Sequence, residues 1–344
     1  AKPPDVASHS PEQSSKEHAE RPEPPLLESL PEIVEKRPEV PELHPESPPS
    51  GALRIVVISD LNGSYGSTKY STMVHQATRL ITQKLKPDLV LATGDMVAGQ
   101  KKGLNYVAMW KAFHQAVTIP LQNAGIPFAP APGNHDASGY SAFKQERQEY
   151  VKQWTQYRAK LRYIDDKHYP LRYAFEKSGV LFISLDATTV GPISSTQRSW
   201  LEGILQKNQR FSVKIVYGHI PTVPIAIGRE TQILGDTRLE QLFVKYKVTA
   251  YLSGHHHAYF PGKRLGVRMV SMPCSGGGPR PLVGTKKAAP RGIAFIEIAN
   301  GVLRTVEGFQ GSTLQQKILR SQLPTVLNRG SKYQLWRDDV TPKP

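Results

Sequence analysis

Five short polar clusters carry the residue types that hold metals and move protons. They are Asp60-Leu61-Asn62, Gly94-Asp95, Gly133-Asn134-His135-Asp136, Gly218-His219 and Gly254-His255-His256-His257. Carboxylate, amide carbonyl and imidazole together make mixed oxygen and nitrogen sites suited to Mn, Fe, Zn or Co. One carboxylate can bridge two cations roughly 3.5–4 Å apart. A glycine ahead of a ligand lets the backbone turn sharply and approach a metal closely. Taken singly, each cluster has a plainer reading: Asp60 as a cap or turn former, Gly94-Asp95 as a turn, His219 as a satisfied core or loop histidine. The set, in this order, points to a metal centre.

Each cluster follows a short hydrophobic run. The runs are residues 53–59 (LRIVVIS), 88–93 (DLVLAT), 127–131 (PFAPA), 213–217 (VKIVY) and 249–253 (TAYLS). Helical patterns over 72–85 and 104–124 separate the first three, which predicts an α/β sheet with crossover helices. Ligands of open α/β sheets gather at the carboxyl ends of strands, so the five clusters converge on one rim. A charge-rich helix is predicted over 142–160. Farther on, 173–176 and 180–186 flank the turn Lys177-Ser178-Gly179 as a hairpin. Ser194 with Gln197 resembles a capping box opening a helix to Asn208. A helix over 237–246 and a strand over 267–272 follow. Strands 292–299 and 302–307 meet at Asn300-Gly301, a type I′ hairpin signal. A second, partly antiparallel sheet is therefore expected, and there is no internal repeat.

Composition frames the rest. With 39% hydrophobic residues the chain can bury a substantial core, and its formal net charge is +15. Residues 1–50 hold 5 Lys/Arg against 11 Asp/Glu and 12 of the 29 prolines, so the remaining chain carries +21. A basic body favours anionic partners: phosphorylated small molecules, nucleic acid or an acidic membrane surface. Pro- and Glu-rich chain without aromatics cannot bury enough apolar area to offset its ordering entropy. The expected layout is a disordered linker over 1–51, a folded domain over 52–310, and a C-terminal helix and tail over 311–344. No run approaches the ~20 apolar residues of a membrane helix. The start at Ala1 and the linker lead to the expectation of an exported protein, periplasmic or extracellular, tethered by that linker. A cytosolic enzyme with a tail is the alternative. The single cysteine, Cys274, excludes an intramolecular disulfide and reads as an inert packed residue.

The order D-x-(H/N), GD, GNHD, GH, GHxH resembles the calcineurin-like metallophosphoesterases over residues 53–310. The stretch 218–259 is similar to the purple acid phosphatase branch. The resemblance implies a two-sheet α/β sandwich flanked by helices, with a dimetal site at the carboxyl rim of the strands. It implies that Asp60 and His257 hold the first metal, Asp95 bridges both, and Asn134, His219 and His255 complete the second. It makes His135 the group that contacts phosphate and protonates the leaving oxygen, with Asp136 orienting its imidazole and His256 turned away. Two positions depart from the pattern. Asn62 stands where many members have His, so either it ligates the first metal more weakly or it does not ligate. Ala98 stands where purple acid phosphatases carry their metal-binding Tyr, so no purple iron–tyrosinate centre is expected, and Tyr65 is given no ligand role.

These residues imply hydrolysis of phosphate esters, monoesters favoured, using two divalent or mixed-valence ions. A phosphodiesterase or nuclease is the first alternative, although no nucleic-acid module is evident. A degenerate binding scaffold on the same fold is the second. Arg229, Arg280 and Lys286 are candidate substrate contacts on loops that border the pocket. Ser275-Gly276-Gly277-Gly278 lacks the Lys-Ser/Thr of a P-loop and reads as a flexible loop.

Overall fold

Alternation sets the layers. In β1 (Leu53–Ile58), Ile55 and Val57 face one cluster of apolar side chains while Val56 and Ile58 face another. In β2 (Leu89–Ala92), Leu89 and Leu91 likewise oppose Val90 and Ala92. Both faces are covered, which is why these runs are continuously apolar. The computed structural model describes residues 51–341, so the expected linker lies outside the described residues.

Two sheets face each other. The first has six strands in the order β13-β12-β11-β1-β2-β3, with β3 at Phe128–Pro130, β11 at Gly292–Ala299, β12 at Val302–Gln310 and β13 at Gln316–Lys317. In it β1, β2 and β3 run parallel, while β11 pairs antiparallel with β1. The second has nine strands in the order β14-β15-β9-β10-β8-β7-β6-β5-β4. Its parallel centre is β6 (Val180–Ser184), β7 (Val213–Tyr217), β8 (Ala250–Ser253) and β10 (Val267–Ser271). Around it lie β4 (Arg162–His168), β5 (Arg172–Lys177), β9 (Phe260–Arg264), β14 (Val326–Leu327) and β15 (Leu335–Arg337).

Ile55, Leu91, Phe175, Phe182, Ile215 and Leu252 fill the space between the sheets. Outside the first sheet pack α1 (Thr72–Leu80), α2 (Tyr106–Phe113) and α5 (Lys144–Gln156), through Val74, Trp110, Phe113 and Trp154. Outside the second pack α6 (Ser195–Lys207) and α7 (Thr237–Lys245), through Leu201, Leu205, Leu239 and Phe243. The order helix, sheet, sheet, helix is the expected two-sheet sandwich.

Several local readings change. The helix expected over 104–124 starts from the Asn105 cap but passes through a π turn at His114–Thr118 before α3 (Ile119–Asn123). Pro120 lacks an N–H and crowds the preceding turn, which the wider turn accommodates. Ser194 does accept the Gln197 N–H at 3.1 Å, but the Gln197 amide bonds Asp186 at 2.8 and 2.9 Å instead of closing a capping box. β4 and β9 carry no strand signal, the one being charged and the other containing Pro261-Gly262. The helix expected in 311–344 is a single 3₁₀ turn at Arg320–Gln322. Beyond it β14 and β15 join the second sheet, pinned by Arg320 to Asp338 at 3.0 Å and by Arg337 to the Leu323 carbonyl at 2.7 Å. Strands of two or three residues are too short to show a period. No helix among the described residues is long and apolar enough to cross a membrane.

Candidate metal centre

The five clusters do lie at strand ends, and they come from both sheets. The first sheet supplies Asp60 and Asn62 after β1, Asp95 after β2, and Asn134, His135 and Asp136 in α4 (Asn134–Ala137) after β3. The second supplies His219 after β7 and His255, His256 and His257 after β8. Asp60, Asp95, His255 and His257 hold left-handed backbone, with φ of 49°, 57°, 64° and 54°. Such conformations cost about 1–3 kcal/mol each and persist where the surroundings fix them, commonly at functional sites. Here the strand-end loops fix them. Asp60 N–H donates to Gly94 at 3.0 Å, Leu61 N–H to Asp95 at 2.9 Å and Gly254 N–H to His219 at 2.9 Å. Gly133 and Gly254 are among the positions that tolerate no side chain: a Cβ on Gly133 would strike the Asp95 amide and carboxylate, and one on Gly254 would strike Ser59 Oγ and the Asp60 carboxylate.

Hydrogen bonds fix the proton on each histidine. A carbonyl oxygen cannot donate, so the ring nitrogen facing it carries the proton. His219 Nδ1 donates to the Thr93 carbonyl at 2.8 Å, and His257 Nδ1 to Gly278 at 3.0 Å. His255 Nε2 donates to Gln232 Oε1 at 3.1 Å, and the Arg229 guanidinium, bonded to the same oxygen, fixes that amide's orientation. The opposite nitrogens turn inward. His219 Nε2 lies 3.2 Å from Asp95 Oδ2, 3.0 Å from Asn134 Oδ1 and 3.2 Å from His255 Nδ1. His257 Nε2 lies 3.1 Å from Asp60 Oδ1.

These buried acceptors face one another, which is repulsive unless a cation or a proton sits between them. The titration behaviour follows. Burial opposes charge on Asp95, yet His219 and His135 outweigh it and hold the carboxyl well below the usual range. His257 does the same for Asp60. Burial works against the His219 charge, but Asp95 overrides it and raises the imidazole to about 9. His255, buried and beside His219, is pushed well below the usual histidine range. Asp95, His219 and His255 present donor atoms all within 4.8 Å of one another. Anchored imidazoles, converging lone pairs and anionic oxygens suit a divalent cation, and the outer partners resemble those that orient metal ligands generally.

Asn134 Nδ2 donates to Gln100 Oε1 at 2.7 Å, which turns Asn134 Oδ1 into the site. Asn62 Nδ2 donates to the Val97 carbonyl at 3.2 Å, so its nitrogen is engaged away from Asp60 and Asp95. The resemblance assigns Asp136 to the His135 imidazole, but the structure does not. Asp136 accepts from the amides of Met96 at 2.8 Å, Val97 at 2.9 Å and Gly133 at 2.9 Å. It braces the loop after Asp95, and burial with the nearby Asp95 pushes its carboxyl up to about 8. Gly99 does the orienting, accepting from His135 Nδ1 at 2.9 Å and leaving Nε2 outward.

One residue of the site, Glu146, gave no sequence signal. Glu146 on α5 is fully buried and accepts from the amides of Gln100 and, at 3.3 Å, Ser138. It therefore holds the 99–100 turn that orients both His135 and Asn134. A lone Glu in a charge-rich helix looks solvated on paper. His256 is turned away from the ligands but is not idle. Its Nδ1 accepts from the amides of Ile225 and Ala226 at 3.1 and 3.2 Å, and Nε2 donates to the Gln232 carbonyl at 2.9 Å. It pins the loop carrying Arg229 and Gln232. The Ser275–Gly278 segment is tied down too: amides of Ser275, Gly276 and Gly277 donate to Ser59, Asp60 and Asn62 at 3.0, 2.8 and 2.9 Å. Those amides cannot cradle a phosphate. Lys286 is exposed, and Tyr65 lies with its ring centroid 5.5 Å from that of His135. Cys274 is buried, which pushes its thiol up to about 12 and keeps it inert.

The family model described as calcineurin-like phosphoesterase matches residues 53–259, well over half of the chain. A search of the curated proteins finds no match. Among solved structures, a purple acid phosphatase from yellow lupin (Lupinus luteus) seeds superimposes with a TM-score of 0.60 at 18% identity, covering 79% of this chain. The chain spans about half of that protein, 54% of its length. GAP50, the anchor in the inner membrane complex of Plasmodium, gives a TM-score of 0.53 at 17% identity over 78% of this chain and 87% of its own. A dimetal phosphatase from Danio rerio gives 0.50 at 13% identity over 72% and 92%. At these identities the likeness is one of fold, while the matched sequence model is more specific: the chain belongs to the calcineurin-like phosphoesterase family.

Proposed function

We propose that the protein is a metal-dependent phosphatase that hydrolyses phosphate monoesters at a dinuclear centre held by Asp60, Asp95, Asn134, His219, His255 and His257. The observation that carries the reading is the outward anchoring of three imidazoles, which turns the opposite nitrogens inward: those of His219 and His257 lie 3.2 and 3.1 Å from the Asp95 and Asp60 carboxylates, and that of His255 lies within 4.8 Å of the same Asp95 and His219 atoms. Asn62 is assigned no more than a supporting part, through its amide oxygen. Divalent cations, when bound there, would supply Lewis acidity, lowering the pKa of water and neutralising phosphoryl charge.

The chain's own residues do the rest. Asp60 and Asp95 are kept ionised for the cations, and the anchored histidines cannot rotate away. His135 in its imidazolium form, with Nδ1–H held by Gly99 and Nε2–H outward, is placed to give the Nε2 proton to the leaving alkoxide. Asp136 and Glu146 position the loops and do not meet the substrate. The basic body draws anionic esters towards the rim.

The test is turnover of p-nitrophenyl phosphate and bis-p-nitrophenyl phosphate by metal-stripped protein, with Mn, Fe, Zn, Co or Mg restored singly. Metal-dependent turnover of the monoester, faster than the diester, is expected. Preference for the diester would make the protein a phosphodiesterase. Bound metal without turnover of either would favour a binding scaffold.

A further inference from the structure

We propose that Arg229 and Arg280 form an anion subsite beside the metal centre, suited to a substrate carrying a second phosphoryl group. The proposal rests on the phosphatase reading and extends it to substrate class. The two arginines come from separate loops that the fold stitches together. Ala226 pairs with Leu282 in an antiparallel bridge, Ile227 N–H donates to Pro281 at 2.9 Å and Val283 N–H to Ile225 at 2.9 Å. Arg280 Nη1 lies over Gly228, next to Arg229.

The ribbon is anchored at three points to the loop 255–257, which carries two of the proposed metal ligands. His256 binds Ile225, Ala226 and Gln232; Arg280 N–H donates to the His257 carbonyl at 3.4 Å; Gln232 Oε1 joins Arg229 to the His255 imidazole. Arg229 is thus one amide group away from a metal-facing ring. Burial and the neighbouring Arg280 both disfavour its charge, while Asp95 and Asp60 draw on it.

Like charges held together need a reason. Among the described residues no carboxylate forms a salt bridge with either arginine, and Arg280 Nε is buried with no hydrogen-bond partner. Guanidinium groups are weakly hydrated forks matched to phosphate and carboxylate oxygens. Two of them, oriented by a bridged ribbon and short of acceptors, form a receptor for an anion. A phosphoryl group in reaction would sit at the metals, so this receptor takes a second one on the same molecule.

The test compares methylenediphosphonate with methylphosphonate, neither of which can be hydrolysed, by isothermal titration. Wild type, Arg280→Gln and Arg280→Lys are titrated both metal-free and metal-loaded, with melting curves to confirm folding. The diphosphonate should bind at least tenfold tighter than the monophosphonate in both forms. Arg280→Gln should shrink that ratio about tenfold, and Arg280→Lys, which keeps charge but loses the fork, should do so partly. The ratio of kcat/KM for a bisphosphorylated ester over p-nitrophenyl phosphate should fall in parallel. A binding ratio unaffected by Arg280→Gln overturns the subsite. Because the metal-free titration needs no turnover, a failed subsite and a failed phosphatase reading give different results.

Discussion

Single residues divide into those that meet the reaction and those that leave room for it. His135 reaches the site through a ring held on one side only. His135→Ala should keep its metal content yet lower kcat about 10²-fold for alkyl phosphates, and less for p-nitrophenyl phosphate, whose leaving group needs little protonation. Metal analysis beside the two rates checks this, and loss of metal would remove His135 from the proton-donor role. Gly254 contributes nothing but absence. Gly254→Ala places a methyl against Ser59 Oγ and the Asp60 carboxylate, both buried. It should lower metal affinity at least tenfold and destabilise the fold by about 1–3 kcal/mol, read by metal titration and by urea unfolding. The clusters themselves were legible in the sequence because imidazole and carboxylate after glycine at strand ends are distinctive. Asp136 was misassigned because spacing brings it next to His135 in sequence, while the turn of α4 points its carboxylate back to the amides of Met96 and Val97.

Elements place what residues cannot place alone. α5 contributes one carboxylate to the site's support, Glu146, and burial raises its pKa to about 7 against hydrogen bonds from Gln100 and Ser138, with Asp95 adding to the rise. Its ordinary value is 4.5. Between those two values the folded protein keeps a proton that the unfolded chain releases. This contribution to stability is therefore full below pH 4.5 and is lost as pH rises through 7, by about 3 kcal/mol for that group. Urea unfolding of metal-free protein at pH 5 and pH 8 should show a decline that Glu146→Gln reduces. An unchanged slope in the variant would place the titration elsewhere. The same variant should lower turnover about tenfold, because the 99–100 turn sets both His135 and Asn134 and small misplacements are costly. Helix and strand positions were largely legible from period. The π turn at 114–118, β4 and β9 were not, since a proline, a charged edge strand and a Pro-Gly strand each hide the pattern that marks an element.

At the scale of the whole molecule, the site exists only because two sheets are held face to face. Asp60, Asp95 and Asn134 belong to one sheet, and His219, His255 and His257 to the other. The apolar layer between them includes Phe175 and Phe182, stacked with ring centroids 4.9 Å apart. Phe182→Ala should cost about 3–5 kcal/mol and weaken metal binding as well, although the residue touches no ligand. Unfolding and metal titration on the same variant check both. Conversely, metal bridging the sheets should stabilise the fold: at a hundredfold excess over Kd the gain is about 2.7 kcal/mol. A melting point unmoved by chelator would mean that metal does not span the two halves.

The sequence by itself determined the chemical inventory and the repeated rule of one polar cluster per strand end. Those depend on residue type and local period, which are written along the chain. Only the tertiary structure decided which nitrogen of each histidine faces inward, that Gly99 rather than Asp136 holds His135, that Glu146 and Gln232 belong to the site, and that Arg229 stands beside Arg280. Each of those depends on contacts between segments far apart in sequence, fixed when the two sheets close on their shared core.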